Sequence, residues 1–211
     1  MKEYIKIETP FERDTDGTKK LIEGKFRNET IEYLKDNVWQ FTEKIDGTNI
    51  SIVWDGHTIS FHGRTERAQI PPHLLKKLYE LFGGDVNEEL FEQKFGEMPV
   101  ILYGEGYGIG IQKGGDYRSD VSFILFDVYL PESSLWLKRD SVEDIAKTFG
   151  IDTVPIIMEG TIEDAVEFVK TKPNSTIGTA KMEGLVGRPK IELKDRVGKR
   201  VIVKIKVKDF E

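Results

Sequence analysis

Several short segments of this chain place charged or aromatic side chains at the ends of apolar runs, where an ionised group is costly unless it has a partner or a task. The first is Glu43-Lys44-Ile45-Asp46-Gly47-Thr48-Asn49, in which Lys44 closes a strand-like run and a polar turn follows. A lysine amine is a nucleophile only when neutral, and that is the chemistry Lys44 would offer. Gly47 permits tight chain reversal or close approach of backbone to a ligand. The plain reading is a solvated charge beside a hairpin turn. Arg64, in His62-Gly63-Arg64, is either a surface arginine or a guanidinium that forks onto phosphate or ribose oxygens. Glu105, between Gly104 and Gly106 at the end of an apolar run, either binds a sugar hydroxyl or a metal, or caps a loop. The run Phe123-Ile124-Leu125-Phe126-Asp127 offers an aromatic face for a base, against a core role for Phe126, and Asp127 requires a partner if it is buried.

Two further segments belong together. Glu183-Gly184 precedes the apolar pair Leu185-Val186, and Lys204, Lys206 and Lys208 alternate with Val203, Ile205 and Val207. Alternate residues of a strand share a face, so the lysines would line one side and the apolar residues the other. Lysine faces also protect edge strands from aggregation. The alternative is a set of ammonium groups aimed at one phosphate.

The order of these segments resembles the motif ladder of the covalent nucleotidyltransferase superfamily of ATP-dependent ligases and capping enzymes. Within that superfamily the chain is most similar to the RNA ligase 2 type of RNA ligase, over about residues 38–208. The resemblance implies that Lys44 attacks the α-phosphate of ATP and forms a lysyl-AMP adduct. It implies ATP-binding roles for Glu43, beside the adenine, and for Asp46. Asn49 would help hold the hydrated metal or phosphate, Arg64 the ribose or phosphates, and Glu105 the ribose hydroxyls. Phe126 would stack on the base. Glu183 would bind Mg²⁺ or Mn²⁺, and Lys204 and Lys206 would contact the α-phosphate and help expel pyrophosphate. AMP would then pass to a 5′-phosphate RNA end, and a 3′-hydroxyl would displace it. Asp46 stands where the RNA ligase 2 type usually carries histidine. A DNA ligase, another nucleotidyltransferase sharing only enzyme adenylation, and a silent nucleotide- or RNA-binding module are the alternatives. In the glycine-rich stretch after Glu105, Lys113 and Arg118 could contact RNA or the leaving pyrophosphate, or simply be solvated.

Composition narrows the field. The 211 residues contain no cysteine, which removes disulfides, thiolate metal sites and thiol nucleophiles. The three histidines, His57, His62 and His73, lack metal-site spacing. No Gly-x-x-x-x-Gly-Lys-Ser/Thr is present, so a P-loop is excluded. No apolar run is long enough to span a membrane, and no targeting segment is visible, so a cytoplasmic setting is expected. A net charge of −6 argues against a broadly basic nucleic-acid surface. The stretch from Lys181 to Lys208 is nevertheless rich in lysine and arginine and could form a local basic surface.

The elements that must position these residues read as α+β. Strands are expected at 4–7, 38–44, 49–54, 58–62, 100–105, 121–130, 183–187 and 200–208. Helices are expected at 73–82, 86–95, 141–149 (capped by Asp140 or Ser141) and 161–171. Residues 12–29 read as loop. The strands should be mostly antiparallel with flanking helices, a nucleotidyltransferase domain related in fold to ATP-grasp enzymes. A single adenylyltransferase domain spanning 1–211 is expected, without the C-terminal domain such ligases usually add. The chain would then be an isolated adenylyltransferase domain, a minimal ligase that needs no second domain, or one that borrows a partner protein to replace it.

Overall fold

The computed structural model describes residues 2–65 and 67–211. In chain order the elements are β1 (Phe11–Arg13), β2 (Leu21–Phe26), α1 (Glu29–Leu34), β3 (Trp39–Lys44), β4 (Thr48–Trp54) and β5 (Ile59–His62). Then come α2 (Pro72–Phe82), α3 (Asp85–Phe95), β6 (Val100–Gly108), β7 (Val121–Leu130), β8 (Leu135–Trp136) and α4 (Arg139–Thr148). The last are β9 (Asp152–Thr153), β10 (Ile156–Gly160), α5 (Ile162–Lys170), β11 (Gly184–Pro189) and β12 (Val203–Lys206). The expected α+β class holds, and every strand pairing except β7 with β9 and an isolated bridge from Glu8 to Val203 is antiparallel among the described residues. The contact pattern divides the chain into two compact units, residues 1–4 with 46–154, and residues 5–45 with 155–211.

The first unit is built on the strand order β5-β4-β6-β7-β8, with β9 added beside β7. Asp55 closes the β4–β5 hairpin by accepting from the amides of His57 and Thr58, as the Asp55-Gly56 turn signal implies. Helix α2 starts with proline in its first turn and buries Leu74, Leu78 and Phe82 at four-residue spacing. Those side chains join Ile50, Ile52, Leu102, Phe123 and Leu125 of the strands in one core, with Val142, Ile145 and Ala146 of α4.

The second unit has the order β10-β3-β11-β12, with the β1–β2 hairpin and helices α1 and α5. Helix α5 carries a full capping box: Thr161 accepts from the amide of Asp164, and the Asp164 carboxylate accepts from the amide of Thr161. Its buried residues Ile162, Ala165, Val166 and Val169 pack with Phe41, Leu185, Val203 and Ile205.

Four expectations are corrected. Residues 4–7 form no strand; the alternation there arises because Tyr4 packs among aromatic rings of the first unit while Ile5 begins a segment of the second. Residues 12–29 are not loop throughout, since β1, β2 and the start of α1 lie there. Asp14 turns that hairpin by accepting from the amides of Asp16, Gly17 and Thr18, and β2 shows no apolar alternation because Leu21 is its one buried residue. Helix α4 begins before Asp140 and has no side-chain cap; Arg139 instead ties its first turn to Glu143, Thr153 and the Val154 carbonyl. Strand β12 stops at Lys206, and Lys208 falls in a 3-10 turn, Val207–Phe210, off the lysine face.

Candidate active site

In the second unit, strand β11 lies between β3 and β12. Gly184 is the cross-strand partner of Lys44 on one side and of Lys206 on the other. Glu183, one residue before, is therefore bracketed by two lysines. Lys44 Nζ is 2.5 Å from Glu183 Oε2, and Lys206 Nζ is 2.9 Å from Glu183 Oε1. Burial pushes the Glu183 carboxyl up, but the Lys44 ammonium and hydrogen bonds from Lys44 and Lys206 outweigh it and hold it below the ordinary carboxylate range. Lys204 pairs with Val186 in the same sheet and, two residues from Lys206, shares its face. The close approach at Gly184 leaves no room for a side chain: a Cβ there would lie 2.1 Å from the Ile205 carbonyl oxygen.

Glu43 occupies the other face of β3, as the neighbour of Lys44 must. It pairs with Leu185, is 1 % exposed, and its carboxylate is committed. One oxygen accepts from the Ser175 hydroxyl, and the other from the Thr176 amide at 3.0 Å and hydroxyl at 2.7 Å. The residue before the candidate nucleophile thus clasps the segment that leads into β11. Ser175 and Thr176 carry no signal in the sequence beyond a polar loop.

In the first unit, Asn49 and Glu105 are cross-strand partners on β4 and β6 and share a face. Both are half-buried. Asn49 Oδ1 is a buried acceptor without a hydrogen-bond partner among the described residues, the kind of atom that a bound ligand satisfies. Gly47 packs against β6 so closely that a Cβ would stand 2.3 Å from the Gly106 carbonyl oxygen and 2.7 Å from Glu105 Cγ. The amide of Asp46 donates to the buried Tyr117 hydroxyl at 3.2 Å, a contact the sequence reading missed. Phe126 is half-buried on β7, and Arg64 is exposed just past β5. Lys113 is exposed in the glycine-rich loop. Arg118 is engaged: its guanidinium forks onto Asp120 and reaches the Tyr107 hydroxyl, and the Asp120 hydrogen bond holds its pKa above the usual value.

Among the described residues no group of three or more histidine, aspartate or glutamate side chains could hold a metal. Glu183 alone suits a hard divalent ion that draws its remaining oxygens from water and substrate phosphates. An ionised, half-buried carboxylate with lysines on either side fits that ion only if it arrives with an anion to balance the lysines.

A family model described as RNA ligase matches residues 37–206. The chain belongs to the RNA ligase family. A search of curated proteins finds no match. Among solved structures, a variant of Naegleria gruberi RNA ligase with ATP and Mn aligns with a TM-score of 0.64 and 20 % identity, covering 94 % of this chain and 55 % of that one. The same organism's RNA ligase with PPi aligns at 0.62 and 19 %, covering 98 % and 62 %. A third, a variant with AMP and Mn, aligns at 0.63 and 19 %, covering 95 % and 60 %. At these identities the likeness is one of fold. This RNA ligase family member spans between half and two thirds of the length of the ligases it matches.

Proposed function

We propose that the chain is an ATP-dependent RNA ligase that works through covalent adenylylation of Lys44. The observation that carries the reading is the Lys44–Glu183–Lys206 cluster, which one strand register assembles inside a chain of the RNA ligase family. Neighbours of this fold are solved with ATP, AMP and PPi, and ATP and PPi are the reactant and the leaving group of that half-reaction.

Bound to Glu183, Lys44 is an ammonium and has no lone pair to offer. It must leave Glu183 and give a proton to solvent; its Nζ then forms a bond to the α-phosphorus, the bond from that phosphorus to the bridging oxygen breaks, pyrophosphate departs with the electron pair, and the new phosphoramidate nitrogen releases its extra proton to solvent. Lys204 and Lys206 face the charge that builds on the transferring phosphate. Glu183 would hold a hydrated Mg²⁺ or Mn²⁺, which supplies further positive charge beside the phosphates when bound. Asn49 and Glu105 would hold ribose and phosphate oxygens, Phe126 would stack on the adenine, and Arg64 would reach ribose or phosphate. Glu43 steadies the strand that carries Lys44, through Ser175 and Thr176. The AMP would pass to a 5′-phosphate RNA end in a cytoplasmic setting, with a 3′-hydroxyl sealing the strand. No helix among the described residues is long and apolar enough to cross a membrane. Lys113 is the member of the glycine-rich loop left to meet RNA, and a further domain or partner protein would act at sealing.

Incubation with α-labelled ATP and Mg²⁺ should label the wild-type chain on a denaturing gel and leave Lys44→Ala unlabelled. Label persisting on Lys44→Ala would sink the assignment. Nicked RNA, DNA and hybrid duplexes, supplied in parallel, should be sealed in favour of RNA; a preference for DNA would favour the DNA ligase reading.

A further inference from the structure

We propose that Tyr4 is a positioning residue for the base: its hydroxyl is fixed on Asp127 while its ring braces Phe126 edge-on, holding Phe126 at a set tilt as a stacking surface for a purine. The proposal rests on the base-stacking role given to Phe126 above.

Strand β7 is irregular at one place. Tyr103 of β6 pairs with Asp127, and the next residue, Gly104, pairs with Leu125, so Phe126 is the extra residue of a β-bulge. The bulge falls where β7 changes its outer neighbour, from β9 beside Ile124 and Leu125 to β8 beside Tyr129 and Leu130. In a regular strand Phe126 and Asp127 would point to opposite faces. A bulge bends the strand and re-aims the side chain it carries. Here one residue touches both. Tyr4 donates from its hydroxyl to Asp127 Oδ2 at 2.7 Å, and its ring centre lies 5.0 Å from that of Phe126 with the planes at 69°.

Tyr4 is itself held on every side. It is 8 % exposed, with Tyr103 at 5.0 Å and Trp136 at 5.5 Å between ring centres. The Tyr103 hydroxyl donates to the Lys2 carbonyl, and the Lys2 ammonium lies 3.8 Å above the Tyr129 ring. Asp127 is 0 % exposed, an expensive place for a carboxylate in so apolar a strand. An apolar side chain would fill that space, whereas a carboxylate also fixes the direction of the Tyr4 hydroxyl and hence the plane of its ring. A phenyl ring so braced loses little freedom when a base settles on it, which is what pre-organised binding requires.

The test compares ATP with inorganic tripolyphosphate, which has no base, by titration calorimetry on the full chain. Tyr4→Leu should weaken ATP binding about tenfold, a figure of the size an edge-to-face aromatic contact supports, with tripolyphosphate affinity and the adenylylation rate at saturating ATP unchanged. Tyr4→Phe, which keeps the ring and loses the hydroxyl, should fall between Tyr4→Leu and wild type, and Phe126→Ala should weaken ATP at least as much as Tyr4→Leu. Loss of ATP and tripolyphosphate together in Tyr4→Leu would make Tyr4 a general structural residue and overturn the proposal. Wild-type ATP affinity in Tyr4→Leu, with Phe126→Ala impaired, would overturn the brace while leaving Phe126 its role. Wild-type affinity in Phe126→Ala would overturn both. Tyr4→Phe, the smaller change, decides the matter if Tyr4→Leu does not fold.

Discussion

Glu183 sets one carboxylate between two lysines, and this couples fold stability to chemistry. Its pKa is depressed in the folded chain, so it contributes stability that is present above its unfolded value and is lost as the pH falls through the folded one. Urea melts of wild type and Glu183→Gln should therefore differ most near neutrality, by about 1–3 kcal/mol for a partly buried pair, and converge below the ordinary carboxylate range near pH 4. A gap that widens on acidification would contradict this. Glu183→Gln should also abolish labelling by ATP, because the carboxylate proposed to hold the hydrated metal beside the phosphates is lost. Lys44, Glu183, Lys204 and Lys206 are each legible in the sequence as charges at strand ends. What joins them is the register that sets Gly184 opposite both Lys44 and Lys206, and pairing between distant strands leaves no local trace in composition. The same limit hides the Ser175 and Thr176 hydroxyls behind Glu43, and Tyr117 under Asp46.

At the scale of elements, the legible ones carry their own punctuation. Helix α2 has proline before it and Gly83-Gly84 after it, and α5 has its capping box. Thr161→Ala removes the acceptor for the Asp164 amide and should cost about 1 kcal/mol, read as a lower urea midpoint with an unchanged slope. The β1–β2 hairpin was not legible, because its strands are mostly exposed and only Phe11 and Leu21 are buried, too sparse a pattern to show alternation. Glycine matters most in β11. Gly184→Ala would drive a methyl group into the Ile205 carbonyl and spread β11 from β12, so it should lower adenylylation more than tenfold, on the scale by which small displacements of reacting groups slow enzymes, while α5 and the hairpins keep their circular-dichroism signal. Adenylylation at the wild-type rate would show that the sheet tolerates the change.

The whole molecule is acidic, at −6, although its proposed substrate is a polyanion. Contacts to RNA phosphates then depend on a few local cations, and such contacts weaken steeply with salt. Raising NaCl from about 50 to 200 mM should cut sealing of nicked RNA at least tenfold and leave lysine labelling by saturating ATP nearly unchanged; parallel decline of both would mean that salt acts on the nucleotide site. The two units differ in how the chain builds them. Residues 46–154 form one unbroken stretch of the first unit, whereas the sheet that holds Lys44 draws β3 from before that stretch and β10, β11 and β12 from after it. Lys44 and Glu183 are 139 residues apart in sequence. Closing so long a loop is slow, and non-local strand pairing waits on it. During synthesis the first unit has its whole central stretch before β11 exists, and domains generally fold as they emerge. A growing chain therefore carries its proposed nucleophile through the 139 residues up to Glu183 without the carboxylate and lysine proposed to give it a task, and the proposed reactivity waits for β11 and β12.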